Sequence, residues 1–267
     1  MSVPARKSLG QHFLSDPRLL NRIAAASTAG AGDVVLEIGP GKGALTAALL
    51  DRGCTVVAIE RDERLVASLQ QRFTGRNFAL VTGDALLLDW AELVAPWTVD
   101  GIRWRVVGNI PYYITSPLLE RALTAPLPAS VTFLVQKEVA DRIVAPAGHD
   151  DYGALSIGIQ AVAHAQRLFT VGKGAFTPVP KVDSAVLHLV PRADPLVAGS
   201  QVKAFRTLVT ALFSYRRKRM QRAVREALGL SADAAADLLA RSAIDPDVRP
   251  EVVDVAGFLR LLHALDG

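Results

Sequence analysis

Short apolar runs alternate with helical patterns through the first half of the chain, and this alternation constrains the fold more than any other feature. The runs are rich in valine, isoleucine and leucine and lie at 34–38, 55–60, 78–81, 104–107 and 131–135. The second run is apolar almost throughout instead of alternating, which is typical of a strand covered on both faces. Such strands, separated by helices, predict an α/β fold with a parallel sheet.

The pattern changes in the second half of the chain. Residues 154–162 and 184–190 are two further apolar runs around a segment rich in glycine and proline, and they predict a hairpin at the sheet edge. Two prolines interrupt the pattern at 191–195, and the sequence after them is rich in alanine, leucine and arginine with helical periodicity. We therefore predict a cofactor-binding catalytic domain over 1–194 and a helical domain over 195–267.

Composition excludes several classes of protein. Of the 267 residues, 50% are hydrophobic, which suffices for a substantial core. The single cysteine, Cys54, excludes an intrachain disulfide and a cysteine-rich zinc site, and the histidines lack metal-ligand spacing. No apolar stretch has the length of an export signal or a membrane span. We expect a cytoplasmic protein without a bound metal, and nothing in the sequence implies an oligomer.

A glycine-rich loop follows the first apolar run. The segment 37–43 reads Glu-Ile-Gly-Pro-Gly-Lys-Gly before a helical pattern at 44–50, so the backbone can turn tightly beside a ligand at a helix N-terminus. Dinucleotides are typically bound by G-x-G-x-x-G. The G-x-G-x-G spacing here, with Gly39 and Gly41 after Glu37, is more typical of S-adenosylmethionine enzymes.

Two carboxylates stand at the ends of the next runs. Glu60 closes the second run and is suited to accept hydrogen bonds from ribose hydroxyls, and Asp84 follows the third run, where it can meet an adenine amino group. Each alone is equally consistent with a solvated charge at a strand end. Their register with the glycine loop favours a binding site for S-adenosylmethionine.

The segment Asn109-Ile110-Pro111-Tyr112 is suited to hold a flat base that carries an exocyclic amine. The lone pair of such an amine is delocalised into the ring, and two acceptors, the Asn109 side chain and the Ile110 carbonyl, can localise it. Pro111 would hold that carbonyl, and Tyr112 would stack on the extruded base. Positioning and electrostatic stabilisation of the transition state would then accelerate the reaction on the amine without a strong base.

Ordered motifs along nearly the whole chain resemble the bacterial ribosomal RNA adenine dimethyltransferases. They are the arm 7–14, the glycine loop, the Asn-Ile-Pro-Tyr segment, 136–139, 152–153, 176–185 and 216–218. The resemblance implies a Rossmann-like methyltransferase fold with a seven-stranded, mostly parallel sheet, one antiparallel strand and a small α-helical C-terminal domain. It also implies methylation of N6 on two adjacent adenosines near the 3′ end of 16S rRNA, within the immature 30S ribosomal subunit.

The same resemblance implies roles for individual residues. The positions that match the family's donor-binding residues are His12, Leu14, Gly39, Glu60, Asp84 and Asn109. The family often has asparagine where this chain has His12, and neutral imidazole can still donate or accept a hydrogen bond. Phe176 matches an aromatic residue that would sandwich the target base opposite Tyr112, although a phenylalanine beside two prolines is also ordinary packing.

A basic cluster marks the C-terminal region. Its residues, which we predict to lie on one helix beside Tyr215, are Arg216, Arg217, Lys218, Arg219, Arg222 and Arg225. A charged helix is usually only a solvated face, but together with the other motifs this cluster is the expected phosphate contact, which Lys181 and Arg192 extend. Relatives often have asparagine at the position of Arg222.

Three other functions remain open from the sequence. A macrolide-resistance methyltransferase acting on 23S rRNA shares the glycine loop and the Asn-Ile-Pro-Tyr motif, but residues 244–251 resemble the small-subunit family. An RNA-binding ribosome-assembly factor with dispensable methylation is the alternative from outside the enzymes. A nicotinamide-dependent oxidoreductase on a similar sheet is the weakest of the three.

Overall fold

A computed structural model describes residues 3–6, 9–98 and 103–266 of the chain. Its strands are β1 (Phe13–Leu14), β2 (Val34–Ile38), β3 (Thr55–Glu60), β4 (Phe78–Thr82), β5 (Trp104–Asn109), β6 (Val131–Gln136), β7 (Ala163–Val171), β8 (Phe176–Thr177) and β9 (Ser184–Pro191).

The α-helices alternate with the strands in the first half of the chain and follow one another in the last third. They are α1 (Pro17–Ala26), α2 (Ala44–Asp51), α3 (Glu63–Arg72), α4 (Trp90–Val94), α5 (Thr115–Ala122), α6 (Lys137–Val144), α7 (Ala154–Gln160), α8 (Val202–Phe213), α9 (Met220–Leu228), α10 (Ala232–Arg241) and α11 (Val255–Asp266).

Within the described residues, seven strands form one mixed sheet in the order β4-β3-β2-β5-β6-β9-β7, and β1 pairs with β8 in a separate two-stranded sheet. The pairs from β4 through β6 are parallel, whereas β9 runs antiparallel to β6. Every residue of β2 is buried, as expected for a strand covered on both faces. The predicted seven-stranded, mostly parallel sheet with an antiparallel strand is confirmed.

The register of the central strands determines where a ligand can bind. Ile38 of β2 is paired with Ile59 of β3 and with Gly108 of β5. The loop after β2, the carboxylate that ends β3 and the amide that ends β5 therefore lie at one edge of the sheet. This edge holds the carboxyl ends of the parallel strands, where open α/β sheets bind their ligands.

The predicted strand at 154–162 is wrong, because α7 occupies most of it and the strand β7 follows at 163–171. A short apolar run fits either a buried helix or a buried strand, so its composition cannot decide. A local cap decides here, since the Gly153 N–H donates to Ser156 Oγ at 3.0 Å in the first turn of α7. Most of β7 is exposed, and its alternation of apolar and polar residues is interrupted by Arg167 and Leu168, so the sequence signal for this strand is weak.

Two compact units make up the chain. The first comprises 1–140 and 166–191, and the second comprises 141–165 and 192–267. Each has its own apolar core: β2, β3 and α2 contribute to the first, and α8, α9 and α11 contribute to the second. Among the described helices, none is long and apolar enough to cross a membrane.

Candidate active site

The glycine loop turns through three left-handed residues between β2 and α2. Gly39, Gly41 and Gly43 have φ angles of 68°, 58° and 76°. A Cβ at Gly43 would lie 2.6 Å from Phe73, so the loop packs too closely there for any side chain. At Gly39, by contrast, no described residue other than its two chain neighbours has an atom within 4 Å of a Cβ position. The backbone is therefore open to a ligand at Gly39 and closely packed behind it.

Glu60 is held by backbone N–H groups on both of its oxygens. Oε2 accepts from Gly41 at 2.9 Å and Oε1 accepts from Asp62 at 2.8 Å. Burial raises the pKa of this carboxyl, and the backbone N–H groups of Asp62, Gly41 and Arg61 act in the opposite direction. An ionised carboxylate has about four acceptor positions, so it can still accept from a ribose hydroxyl.

Asp84 lies at the same end of the sheet, after β4. Its Oδ2 forms an ion pair with Arg61 at 3.1 Å, and its Oδ1 accepts from the Leu86 N–H at 3.0 Å. Both charged side chains line the same cavity as the glycine loop and Glu60. The structure thus brings Gly39, Glu60 and Asp84 together around one cavity, in an arrangement that fits a cationic, adenosine-containing donor.

Glu37 is a site residue that sequence reasoning used only as part of a motif. It lines the cavity, is 1% exposed and accepts a hydrogen bond of 2.6 Å from Thr46 Oγ1. Burial, with a smaller contribution from the nearby Glu60, raises its pKa to about 8, and the hydrogen bond from Thr46 acts in the opposite direction. The apolar strand around Glu37 was the available signal, because an acid within a fully buried run must be neutralised or paired.

Asn109 ends β5 with its amide in a fixed orientation. Its Nδ2 donates to the backbone carbonyl of His12 at 2.9 Å, so Oδ1 remains the acceptor of this side chain. Asn109, the buried Ile110, and Pro111 line the cavity that also contains the glycine loop. The amide is thus positioned by the arm that precedes α1, which a reading of the Asn-Ile-Pro-Tyr segment alone does not reveal.

Tyr112 is half-buried beside Asn109. Its hydroxyl lies 2.7 Å from Ser184 Oγ, and burial raises its pKa. The ring stacks on the imidazole of His12, with centroids 6.0 Å apart and planes inclined by 22°. His12 Nδ1 lies 2.7 Å from the carbonyl oxygen of Pro178. His12 therefore contacts the predicted base-stacking residue as well as the predicted methyl-acceptor site.

Further contacts hold the arm beside the cavity. Gln11 Nε2 donates to Asp62 Oδ2 at 3.0 Å, and β1 pairs with β8 through Phe13 and Leu14. Asp62 is fully buried, and the Arg64 guanidinium beside it lowers the pKa of its carboxyl to about 2. Because the Asp62 N–H also donates to Glu60, the arm is connected to the predicted ribose site. Sequence reasoning missed both Gln11 and Asp62.

Phe176 lies in β8 opposite Leu14 and belongs to the apolar core of the first unit. It is 2% exposed and does not line the cavity, whereas Leu14 does. The burial of Phe176 therefore favours ordinary core packing over stacking on the target base. Its role as a second stacking wall stays a prediction.

The basic cluster does not lie on one helix, which corrects the prediction. Residues 216–219 form the connection between α8 and α9, and Arg222 and Arg225 lie on α9. The chain turns over 214–218 before α9 begins at the buried Met220, so the charges are divided between two elements.

Several arginines of this cluster are paired with acids. Arg216 forms an ion pair with Glu251 at 2.7 Å and also donates to the carbonyl of Asp150. Arg219 pairs with Asp247 at 2.8 Å. On α9, two guanidiniums share one carboxylate: the partners of Glu226 are Arg222 and Arg225. Arg217 and Lys218 are exposed. Of the two predicted extensions, Arg192 donates to the Gln160 carbonyl at 3.0 Å, and Lys181 is exposed.

A protein-family model described as "Ribosomal RNA adenine dimethylase" matches residues 3–265. Among curated relatives, the protein named ribosomal RNA small subunit methyltransferase A from Caulobacter vibrioides is 46% identical and covers 98% of this chain and 98% of its own. The protein of the same name from Phenylobacterium zucineum is 45% identical over 97% of this chain and 88% of its own.

Two solved structures are similar over nearly the whole chain. A dimethyladenosine transferase from Plasmodium falciparum has a TM-score of 0.82 at 26% identity, covering 96% of this chain and 98% of its own. The 23S rRNA methyltransferase ErmE has a TM-score of 0.71 at 29% identity, covering 96% of this chain and 100% of its own.

Proposed function

This chain belongs to the ribosomal RNA adenine dimethylase family, and we propose that it dimethylates N6 of two adjacent adenosines near the 3′ end of 16S rRNA. The methyl donor is S-adenosylmethionine. The proposed substrate is the immature 30S subunit in the cytoplasm. Donor binding and catalysis are assigned to residues 1–194, and RNA contact to 195–267.

The observation that carries this proposal is the orientation of the Asn109 amide. Because Nδ2 donates to the His12 carbonyl, Oδ1 is held as an acceptor at the cavity that contains Glu60 and the glycine loop. An adenine amine presents two hydrogens and no readily available lone pair. Acceptance of those hydrogens by Asn109 Oδ1 and the Ile110 carbonyl would pyramidalise N6 and direct its lone pair.

S-adenosylmethionine supplies an electrophilic methyl group when it is bound. Gly39 offers an open backbone, Glu60 can still accept from a ribose hydroxyl, and Asp84 is available to the adenine ring. His12 and Leu14 would cover the donor from the arm. The N6 proton needs no strong base, because it becomes acidic only once nitrogen is alkylated and is then lost to water.

We propose that the groups that bind the RNA phosphates differ from the features that determine which adenosines are methylated. The exposed Arg217 and Lys218 are the cationic groups best placed for phosphate contact, since Arg216 and Arg219 are engaged with Glu251 and Asp247. Phosphate contacts orient an RNA without reading its sequence. Selection then depends on RNA shape and on which adenosines can be extruded to Tyr112.

The direct test is methyl transfer by the purified protein to small subunits that lack dimethyladenosine. Mass spectrometry of the 16S rRNA should find two dimethylated adenosines, and large-subunit rRNA in the same reaction should remain unmodified. Large-subunit RNA is the relevant control, because ErmE is a 23S rRNA methyltransferase of similar fold. Product confined to large-subunit RNA would assign the chain to the macrolide-resistance type of enzyme.

A further inference from the structure

A second tyrosine follows Tyr112 and has no role in the chemistry described above. Tyr113 lines the same cavity, yet the residue is 57% exposed. Its ring packs beside the arm, 3.4 Å from the position of a Cβ at Gly10. A large, half-exposed aromatic ring at the mouth of a cavity is suited to contact a ligand that extends out of it.

The backbone directs the two tyrosines differently. Both lie in one turn of 3₁₀-helix, Tyr112–Ile114, in which successive side chains point about 120° apart. Tyr112 is fixed inside by its contact with Ser184 and by stacking on His12. Because the two rings cannot face the same base, Tyr113 presents its ring outside the position that the target base would take.

We propose that Tyr113 stacks on the adenosine adjacent to the one being methylated. This inference rests on the proposed function, in which the two adenosines are neighbours on one strand. When one of them is extruded to Asn109, the other is a single backbone linkage away and has lost its stacking partner. Tyr113 then supplies a replacement aromatic surface at the mouth of the cavity and selects substrates that carry a base at the neighbouring position.

The test combines a protein change with a substrate change. Small subunits are reconstituted with 16S rRNA that has either both adenosines or one adenosine beside an abasic nucleotide. On the intact pair, Tyr113→Ala should lower kcat/KM for the first methyl transfer about tenfold, the effect of losing one stack. On the abasic substrate the wild type should lose about as much, and Tyr113→Ala should cause no further loss.

Controls separate stacking from other roles. Tyr113→Phe retains the ring and should recover most of the lost kcat/KM. Trp97→Ala removes another exposed aromatic ring that does not line the cavity, and should leave kcat/KM unchanged. Calorimetry with S-adenosylhomocysteine should give equal affinities for the wild type and Tyr113→Ala.

An unchanged kcat/KM in Tyr113→Ala on the intact pair would overturn the proposal. So would a loss of kcat/KM in Tyr113→Ala on the abasic substrate as large as the loss on the intact pair, or weakened binding of S-adenosylhomocysteine. The proposed function is tested separately by the wild type on the intact pair. Transfer there with no effect of Tyr113→Ala would reject only the stacking role, whereas absence of transfer by the wild type would reject both.

Discussion

The cavity of the first unit and the basic cluster of the second unit differ in how their functional side chains are placed. Around the cavity, Glu60 and Asn109 come from separate strands and are oriented by backbone groups of Gly41 and His12. In the basic cluster the charges lie within one short stretch of sequence, 216–225. Most of these arginines are oriented instead by carboxylates, as in the pair Arg216–Glu251.

Substitutions should differ in severity between these two regions. A side chain held by backbone hydrogen bonds at a buried edge performs a role that neighbours cannot replace. An exposed guanidinium among several others contributes a small, largely independent part of an electrostatic surface. We therefore expect large, specific losses in the first unit and small, additive losses in the second.

The largest effect is expected at Asn109. Asn109→Ala removes the acceptor that orients the amine, so kcat for methyl transfer should fall about a hundredfold or more, as when a single fixed hydrogen-bonding group is removed from a transition state. Small-subunit binding, measured by sedimentation, should persist. Asn109→Asp keeps an acceptor but loses the hydrogen bond donated to the His12 carbonyl, so its kcat should lie between those of the wild type and Asn109→Ala. Parallel loss of subunit binding and transfer in Asn109→Ala would mean that Asn109 is structural.

The next effect is expected at Gly43, which tests whether close packing supports the cavity. Gly43→Ala places a methyl 2.6 Å from Phe73 at a φ of 76°, so the free energy of unfolding should fall by about 2–4 kcal/mol. The matched control is Gly75→Ala, which has a φ of 77° and no described atom within 4 Å, and should cost only about 1–2 kcal/mol. Chemical denaturation compares them. Equal losses would mean that packing against Phe73 contributes nothing.

Sequence reasoning predicted the parts of this molecule that local pattern determines. Apolar runs, and the glycines and charged residues that end them, predicted the buried strand β2, the glycine loop and the position of Glu60 at the end of β3. Because parallel strands end at one edge, the meeting of Glu60 and Asn109 could also be predicted.

The remainder depends on contacts between residues distant in sequence. The His12 carbonyl is 97 positions from Asn109, and Gln11 is 51 positions from Asp62. Charge density predicted a single basic helix, whereas the first N–H groups of α9 donate to the carbonyls of Val248 and Pro246, where the helix begins. Neither effect is visible in a local window of sequence.

The third prediction concerns pH and the buried carboxyl of Glu37. Folded Glu37 keeps its proton up to about pH 8, whereas an unfolded glutamate ionises near its ordinary pKa of 4.5. The folded chain therefore binds an extra proton between these values, and this contribution to stability is lost as the pH rises through them.

Glu37→Gln retains the shape and the acceptor for Thr46 but cannot ionise. Urea denaturation from pH 5 to 9 should show a smaller fall in the free energy of unfolding for this variant than for the wild type. Asp62 does not interfere, because its pKa of about 2 keeps it ionised throughout this range. Parallel pH profiles for the two proteins would show that Glu37 does not titrate as its burial requires.

The smallest effects are expected in the basic cluster, where a paired arginine and its exposed neighbour should behave oppositely. Arg216→Ala breaks the partly exposed pair with Glu251 and should lower the free energy of unfolding by about 1 kcal/mol or less. It should leave the salt dependence of subunit binding unchanged. Arg217→Ala should instead leave stability unchanged and reduce the slope of log K against log salt concentration by about 0.7–0.9, the value of one phosphate contact.

Subunit binding at several salt concentrations, with denaturation of each variant, separates these outcomes. A reduced slope for Arg216→Ala would mean that its guanidinium leaves Glu251 to contact RNA. The Arg216–Glu251 ion pair would then form only when RNA is not bound. The contrast between the two regions would likewise hold only in the absence of RNA. An unchanged slope for Arg217→Ala would remove it from the phosphate contact and leave Lys218 as the exposed cation to test next.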